Sequence, residues 1–282
     1  MTSTIPEAPV PSAPNGHRYQ GKVAFITGAA RGQGRAEAVR LAAEGADIIA
    51  LDICEDLPTT TYSGATPEDM AETARLVEQL DRRIVTIQAD IRDFEAMKTA
   101  LEAGVSELGR LDVVIANAGM TSGARTWEID SAHWQATIDI NLTGAFHTAK
   151  AAIPIMLEQA TGGSITFTSS VAGLVGLPLL ADYVAAKHGV TGLAKTLANE
   201  LAQYRIRVNS VHPFGVATGL QMTEISTLLQ EYPSYGLLYM GSLPEPLSQA
   251  DDIAAAVAWI ASDEARHVTG IQLPVDLGRT NR

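Results

Sequence analysis

Short apolar runs alternate with longer amphipathic stretches along most of this 282-residue chain. A run that is apolar at nearly every position is typical of a strand covered on both faces, as in a parallel sheet. The chain has seven such runs, at residues 23–26, 47–51, 84–87, 111–115, 164–167, 206–211 and 271–275. Helical periodicity marks the stretches between them, at residues 34–44, 67–80, 94–107, 131–159, 183–203 and 249–261. The pattern predicts an α/β fold, a doubly wound sheet of about seven parallel strands with helices on both faces.

One folded domain is predicted over residues 21–282. Residues 1–20 carry four prolines, whose spacing favours extended, solvated chain, so we expect a disordered Pro-rich tail there. The tail lacks the basic and apolar regions of a secretory signal. Connections 53–83 and 214–248 are longer than the alternation requires, and long connections in compact domains tend to be lids or binding loops.

Composition narrows the classes of function. Twenty Lys and Arg against 32 Asp and Glu give a formal net charge of −12, which argues against nucleic acid or an anionic membrane surface as partners. Residues 159–181 carry no charge but are broken by glycine and proline, so we expect no membrane span. The single cysteine, Cys54, excludes a disulfide framework and fits a reducing cytosol, so we expect a cytoplasmic protein. The histidines offer no close ligand pattern, so we expect no metal site.

A glycine-rich turn, residues 27–34, follows the first predicted strand and precedes a helix. Glycines let backbone approach a pyrophosphate, whose charge then faces the helix N-terminus; an ordinary loop is the alternative. Asp52 ends the second strand, and a carboxylate there would bind ribose hydroxyls and repel a 2′-phosphate. This favours NAD over NADP. Arg31 and Arg35 keep NADP open, because either could pair with a phosphate.

Tyr183 and Lys187 are four residues apart, so on a helix their side chains share one face. A neighbouring ammonium is expected to lower the pKa of the phenol. Tyr183 could then exchange a proton with an alcohol or a carbonyl while hydride moves to or from nicotinamide. The alternative is an exposed aromatic beside a solvated lysine. Ser170, thirteen residues upstream of Tyr183, could hold the substrate oxygen.

The spacing of Gly28, Gly32 and Gly34 resembles the TGxxxGxG turn of the short-chain dehydrogenase/reductase family, in its compact single-domain branch. The resemblance covers residues 21–278 and implies a Rossmann-type, NAD-binding catalytic domain. It also implies that Asp90-Ile91 borders the adenine and that Asn117-Ala118-Gly119 lies beneath the cofactor. The cofactor-binding residues so expected are Gly28, Arg31, Gly32, Gln33, Gly34, Asp52, Ile53, Asp90, Ile91, Asn117, Ala118, Gly119, Tyr183, Lys187, Pro213, Val216 and Thr218.

The same resemblance implies four catalytic roles. It gives Tyr183 as acid/base, Lys187 as pKa modifier and nicotinamide-ribose ligand, Ser170 as orienting hydroxyl, and Asn141 as the anchor of a water in the proton relay. Ser169 adjoins Ser170 and stays open as an alternative, although the thirteen-residue spacing favours Ser170.

After the sixth strand, Phe214 stands where the family usually has glycine. The backbone there must therefore accept a residue with a Cβ.

A closer resemblance is to the carveol-dehydrogenase-like, mycofactocin-coupled actinobacterial subgroup. It rests on residues 27–54, on the enlarged connection between Asp52 and Asp90, and on the ending at residues 268–276. It implies tightly held NAD, reducing equivalents passed to mycofactocin, and residues 53–67 closing over the cofactor. The alternative is a neutral surface insertion, since added loop length costs little entropy.

The connection 214–248 is rich in apolar side chains and is expected to form a substrate loop. The residues are Leu220, Met222, Ile225, Leu228, Leu229, Tyr232, Tyr235, Leu237, Leu238, Tyr239, Met240 and Leu243. An apolar wall would select a hydrophobic substrate; a helical hairpin packed on the core or on another subunit is the alternative.

The sequence therefore predicts an oxidoreductase that transfers hydride between NAD and a hydrophobic, cyclic secondary alcohol or its ketone, carveol-like or similar. An NADPH-dependent carbonyl reductase and a non-catalytic NAD-binding regulator are the alternatives. A homotetramer is the expectation from family resemblance.

Overall fold

The computed structural model describes residues 17–219 and 223–281, and its centre is a seven-stranded, all-parallel sheet. The strands are β1 (Val23–Thr27), β2 (Asp47–Asp52), β3 (Ile84–Gln88), β4 (Val113–Ala116), β5 (Gly163–Thr168), β6 (Ile206–Pro213), a short β7 (Val216–Ala217), a short β8 (Ser248–Gln249) and β9 (Gln272–Val275). The sheet order is β3-β2-β1-β4-β5-β6-β9, and β7 pairs with β8 separately. The predicted fold class is confirmed, and each of the seven apolar runs overlaps a strand of the large sheet.

Helices cover both faces of the sheet. They are α1 (Gly32–Ala43), α2 (Pro67–Glu78), α3 (Phe94–Leu108), α4 (Ser131–Ile138), α5 (Gly144–Gln159), α6 (Ala181–Leu201), α7 (Thr223–Glu231) and α8 (Ala250–Ala261). One hydrophobic core lies against α3, α5 and α6, and another against α1, α2 and α8. Along β1, Phe25 packs in the first core and its neighbour Ile26 in the second, because successive side chains of a strand point to opposite faces. This is why the runs are apolar throughout.

β1 and β4 are neighbours in the sheet and pair in parallel. β2 lies on the other side of β1 and β5 on the other side of β4, so the strand order reverses between β1 and β4. In doubly wound sheets a ligand crevice opens at such a point, outside the carboxyl ends of the strands. The topology therefore places the turn after β1, the end of β2 and the segment after β4 around one crevice.

The stretch 131–159, predicted as one helix, contains a π-helical segment between α4 and α5, Asp139–Thr143. Such segments are found frequently at functional sites, and Asn141 lies in this one. The π-helical backbone keeps α4 and α5 continuous while changing the direction of the side chains within it.

The predicted boundary of the tail, residues 1–20, is wrong at its C-terminal end. Tyr19 is fully buried, and its hydroxyl donates to the Ala258 carbonyl at 2.5 Å. Arg18 pairs with Glu44 at 2.6 Å and with Glu264 at 3.0 Å. A large aromatic side chain and a doubly paired guanidinium thus hold residues 18 and 19 against α8 and against the segments that follow α1 and α8. Residues 1–16 lie outside the described residues.

The two long connections differ in construction. The first runs from β2 through an irregular segment, residues 53–66, into α2, whose start is fixed by a capping box between Thr66 and Asp69. The second contains β7, α7 and a 3₁₀ helix over Pro233–Tyr239. Leu220 and Met222, predicted for the substrate loop, lie outside the described residues. No helix within residues 17–219 and 223–281 is long and apolar enough to cross a membrane.

Candidate active site

The glycine-rich turn links β1 to α1. The Ala29 and Ala30 N–H groups donate to the Leu51 carbonyl and to Asp52, respectively. Arg31 is the N-cap residue of α1 and makes no side-chain cap, so the first-turn N–H groups are available to an anion. Gly28 and Gly32 have φ of 70° and 57°, in the left-handed region that favours glycine. At Gly34 a Cβ would lie 2.1 Å from the Gly28 carbonyl oxygen, so glycine is required there for closure of the turn.

A first cavity, of about 170 Å³, lies over the carboxyl ends of the strands. Twelve of the predicted cofactor residues line it: Gly28, Arg31, Gly32, Gln33, Asp52, Ile53, Asp90, Ile91, Asn117, Ala118, Gly119 and Thr218. Gly34 lines neither this cavity nor the second one described below, so its role is in packing the turn and not in contact with a ligand.

Asp52 is nearly buried and ties the end of β2 to the glycine-rich turn. One carboxylate oxygen accepts from the Ala30 N–H at 3.0 Å and the other from the Cys54 N–H at 3.2 Å. Each oxygen keeps a further acceptor position, since a carboxylate has about four. The carboxylate is therefore held at the cavity wall and can still accept hydrogen bonds from a ligand.

The two arginines that kept NADP open have different positions. Arg35 pairs with Asp69 at 3.1 Å and donates to the Ala30 carbonyl at 2.5 Å, and it does not line the cavity. Arg31 does line it, and donates to the Ser63 carbonyl at 2.5 Å. Arg35 is thus engaged in holding α2 against the turn.

Residues 53–66, called here the cover segment, form one wall of the first cavity. Leu57, Thr60, Tyr62, Gly64 and Ala65 line it; sequence reasoning named none of these individually, and only the Thr/Pro/Gly-rich composition marked the region.

Hydrogen bonds of Tyr62, Thr61 and Ser63 are among those that fix the cover segment from outside. The Tyr62 hydroxyl accepts from the Thr121 N–H at 3.2 Å, the Thr61 hydroxyl donates to Glu224 of α7, and the Ser63 carbonyl accepts from Arg31. The cover is thereby joined to the loop after β4, to the substrate loop and to the glycine-rich turn.

A second cavity, of about 640 Å³, adjoins the first. Gln33, Asn117, Gly119 and Thr218 line both. The four predicted catalytic residues all line the second cavity, together with the predicted Pro213 and Val216; the four are Asn141, Ser170, Tyr183 and Lys187. The structure therefore brings together predicted residues that are up to 185 positions apart in sequence (Gln33 to Thr218).

Tyr183 and Lys187 lie on one face of α6, as their spacing predicted. Lys187 Nζ lies 5.5 Å from the centroid of the Tyr183 ring and donates to the Thr168 carbonyl at 2.8 Å. Burial lowers the pKa of Lys187 to about 8. Burial raises the pKa of Tyr183 to about 12, and a hydrogen bond with Ser170 acts in the opposite direction. The expectation of a lowered Tyr183 pKa is wrong for this arrangement, because desolvation of the phenolate outweighs the favourable neighbours.

The hydrogen bonds of the adjacent serines favour Ser170. Ser169 Oγ donates to the Lys187 carbonyl at 3.1 Å and also contacts Thr191 at 3.2 Å, which commits it to holding α6. Ser170 Oγ accepts from the Ala172 N–H at 3.1 Å. Since that bond uses a lone pair, the hydroxyl proton of Ser170 stays available to an oxygen in the cavity.

Asn141 fastens the loop after β4 to the π-helical segment. Its Nδ2 donates to the Met120 and Thr137 carbonyls at 2.9 and 3.0 Å, and its Oδ1 accepts from the Met120 N–H at 3.2 Å. The side chain is 1% exposed, so its amide is used in positioning this loop.

Phe214 is accommodated because its neighbour takes the unusual conformation. Gly215 has φ of 52°, and Phe214 packs with Val171, Leu177 and Leu180 at the apolar end of the second cavity. The missing family glycine is thus compensated one residue later.

The predicted substrate wall is only partly right. Ile225, Leu229 and Tyr239 line the second cavity, but Leu237 and Leu243 are 72% and 58% exposed. Leu237 belongs to the 3₁₀ helix and Leu243 to the coil after it, where the α-helical spacing of apolar residues does not apply.

The residues present fit a dinucleotide. Gln33 Oε1 is buried where the two cavities meet and has no hydrogen-bond partner among the described residues, which suits a polar ligand that spans both. The unshared amides of α1 suit a pyrophosphate, and the Asp52 carboxylate suits a ribose diol. No cluster of metal-ligating side chains occurs within the described ranges.

Residues 22–228 match the family model described as short chain dehydrogenase. The chain belongs to the short chain dehydrogenase family. Among its relatives, (-)-trans-carveol dehydrogenase of Rhodococcus erythropolis is 43% identical, with 93% of this chain and 99% of the relative covered. The fold and the family of the sequence prediction are both confirmed.

Solved structures of other short chain dehydrogenases superpose closely. Carveol dehydrogenase from Mycobacterium avium in complex with NAD has 50% identity and a TM-score of 0.89, covering 95% of this chain and 100% of that one. A short chain dehydrogenase from Mycobacterium paratuberculosis bound to NAD has 46% identity and a TM-score of 0.92, covering 94% and 100%.

Proposed function

We propose that this short chain dehydrogenase transfers hydride between NAD and a hydrophobic, cyclic secondary alcohol or its ketone, a carveol-like terpenoid or a similar compound. The observation that carries the proposal is the convergence of Ser170, Tyr183 and Lys187 on an apolar cavity that adjoins the dinucleotide-fitting one. A regulator that only binds the dinucleotide would not need this proton-transfer group.

Asp52 supports NAD as the cofactor. Its carboxylate lies at the wall of the first cavity, hydrogen-bonded to the turn, where it would accept from a ribose and repel a 2′-phosphate. Arg35, which could have paired with that phosphate, is engaged with Asp69. Both similar solved structures contain NAD.

Bound NAD supplies the hydride acceptor or donor of the reaction. The Tyr183 phenol exchanges a proton with the substrate oxygen, and the Ser170 hydroxyl donates to that oxygen or to the phenolate. Lys187, held by the Thr168 carbonyl, places positive charge near Tyr183 and favours its ionised form. Asn141 keeps the loop after β4 in place beside them.

The lining of the second cavity supports an apolar substrate. Its outer part is formed by Phe214, Leu177, Leu180, Ile225, Leu229 and Tyr239. Lys187 is the one charged side chain among the described lining residues, and it is engaged at Tyr183. A substrate carboxylate or phosphate would therefore find no counter-charge, whereas a cyclic hydrocarbon would bury its surface.

We also propose that NAD is held between turnovers and that its electrons pass to mycofactocin. The support is the cover segment, joined to the rest of the molecule through Tyr62, Thr61 and Ser63. Reduction of bound NAD once per subunit by an alcohol, with no turnover on added free NAD, is the expected result. Sustained turnover with free NAD would refute this part alone.

A homotetramer is the proposed assembly. The support is that α4, α5 and α8 each carry a large exposed apolar side chain that a subunit contact could bury; Trp134, Phe146 and Trp259 are 41%, 43% and 38% exposed. Light scattering of the purified protein tests it: a monomer mass would contradict the proposal.

An alcohol screen on the purified protein tests the function. Nicotinamide absorbance is followed after addition of cyclic secondary alcohols and of charged alcohols of similar size. We expect reduction with the former and none with the latter; absence of reduction with every alcohol and of oxidation with every ketone would refute the proposal.

A further inference from the structure

His212 lies behind the candidate active site without entering it. It is on β6, next to Pro213, and its side chain is fully buried. Its Nδ1 lies 2.7 Å from the Ser170 carbonyl oxygen, and its Nε2 lies 2.8 Å from Ser210 Oγ. The imidazole thus connects β6 to the backbone of a predicted catalytic residue.

These partners determine where the imidazole proton is. A backbone carbonyl only accepts, so Nδ1 carries the proton, and Nε2 accepts from the Ser210 hydroxyl. Burial, together with the positive charges of Lys187 and Lys195, lowers the pKa of His212 to about 4. The neutral Nδ1–H form is therefore the one present at neutral pH.

The Ser170 peptide is held on two sides. Its carbonyl accepts from the Gly173 N–H at 2.8 Å as well as from His212, which uses both lone pairs of that oxygen. Ser170 Oγ accepts from the Ala172 N–H at 3.1 Å. With carbonyl and hydroxyl both fixed, the Ser170 proton is directed into the cavity toward Tyr183.

We propose that His212 is a positioning residue of the reaction: its Nδ1–H holds the Ser170 carbonyl so that the Ser170 hydroxyl faces Tyr183 and the substrate oxygen. The proposal rests on the proposed function, because Ser170 matters to proton transfer only if that reaction occurs. His212 itself touches no reacting atom.

Two amide substitutions separate the imidazole nitrogens. In His212→Asn the amide N–H takes the place of Nδ1–H and can still donate to the Ser170 carbonyl. In His212→Gln the amide reaches the place of Nε2 and leaves the carbonyl with Gly173 alone. We expect kcat to fall about tenfold in His212→Gln, since one lost hydrogen bond in a buried site is worth that factor, and to be largely retained in His212→Asn, with KM similar in both.

The pH profile supplies a readout that a purely structural role would not change. The hydrogen bond with Ser170 lowers the pKa of Tyr183. In the pH profile of the oxidation rate, the apparent pKa that belongs to Tyr183 should therefore rise in His212→Gln and stay unchanged in His212→Asn. Ser170→Ala should give the same shift, and adding His212→Gln to it should cost nothing further. Independent, multiplicative losses would overturn the proposal.

A measurement without turnover keeps this inference distinct from the proposed function. The measurement is nitrogen-15 NMR of the full-length protein with labelled histidine, in which the resonances that His212→Asn removes are assigned to His212. Their chemical shifts should be those of a neutral, Nδ1-protonated ring and should stay roughly unchanged from pH 5.5 to 8. A ring protonated on Nε2, or charged, would refute the hydrogen-bond assignment even if the enzyme is active. If the histidine variants do not fold, Ser210→Ala is a smaller change that can be used instead. It removes the hydroxyl that donates to His212 Nε2, so the ring should then exchange between its two tautomers.

Discussion

The Tyr62 hydroxyl accepts a hydrogen bond from the Thr121 N–H at 3.2 Å. Tyr62 belongs to the cover segment, and Thr121 follows Met120, whose backbone is held on both sides by Asn141. This bond therefore joins the cover segment to the loop after β4, as does the bond that the Thr59 hydroxyl donates to Met120 Sδ at 3.7 Å. Tyr62 also lines the first cavity, so we expect its bond with Thr121 to hold the cover segment in place over a bound cofactor.

Tyr62→Phe removes that bond and keeps the ring. We expect NAD to dissociate about three- to tenfold faster, which corresponds to a hydrogen bond of about 0.5–1.5 kcal/mol. Stopped-flow displacement of bound NADH measures the rate. Tyr204→Phe, at an exposed tyrosine that lines neither cavity, is the matched control and should have no effect; an equal rate in both variants would show that the bond does not hold the cover.

Asp52→Asn tests cofactor choice at constant side-chain size. Loss of the charge removes the repulsion of a 2′-phosphate and weakens the ribose contact, so the preference for NAD over NADP should fall by about tenfold or more. Calorimetric titration with each cofactor measures it. Glu55→Gln neutralises another carboxylate of the same cavity and should leave the preference nearly unchanged. Unaltered preference in Asp52→Asn would assign selectivity to another group.

Burial of Glu37 should make the stability of the folded protein depend on pH. It is fully buried on α1, neither carboxyl oxygen has a hydrogen-bond partner among the described residues, and burial raises its pKa from 4.5 to about 8. Between these values the unfolded chain releases the proton and the folded chain keeps it. The free energy of unfolding should therefore fall by about 1.4 kcal/mol per pH unit over this window from this group alone.

Glu37→Gln removes that dependence. Denaturant unfolding at a series of pH values should show the variant gaining on the wild type as pH rises from 5 to about 8, while Glu107→Gln, exposed on α3, runs parallel to the wild type. Parallel curves for Glu37→Gln would mean that the carboxyl is already ionised in the folded protein.

The strands and the catalytic spacing were predictable because each depends on local pattern. A run of apolar residues predicts a strand that is covered on both faces, whichever strands it pairs with. The four-residue spacing of Tyr183 and Lys187 predicts that they share one face of a helix. The glycine-rich turn is also largely local, since a Cβ at Gly34 would lie 2.1 Å from the Gly28 carbonyl oxygen, six residues away in sequence.

Other features depend on which distant groups meet. Tyr19 is buried because α8 offers the Ala258 carbonyl, which no feature of the tail reveals. The raised pKa of Tyr183 follows from burial by surrounding elements, whereas the sequence shows only its charged neighbour Lys187. The wall residues of the cover segment carry no periodicity, so Tyr62 could not be distinguished from its neighbours.

Leu229→Ala tests the apolar wall of the substrate cavity. The lost side chain should raise KM for a hydrophobic cyclic alcohol by about three- to tenfold, as expected for roughly 1 kcal/mol of lost burial, with little change in kcat. Leu243→Ala, at a 58% exposed site outside the cavity, is the control. The same KM in both variants would exclude Leu229 from the substrate site.

Tyr183→Phe tests the central claim most directly. Nicotinamide absorbance is followed after rapid mixing of the NAD-loaded protein with a cyclic secondary alcohol, and NAD affinity and the circular dichroism spectrum are recorded for the same preparations. We predict hydride transfer about 10²–10⁴-fold slower than in the wild type, with NAD affinity and fold retained. Near-normal hydride transfer by the folded, NAD-bound Tyr183→Phe protein would contradict the assignment of Tyr183 as the acid/base of this short chain dehydrogenase.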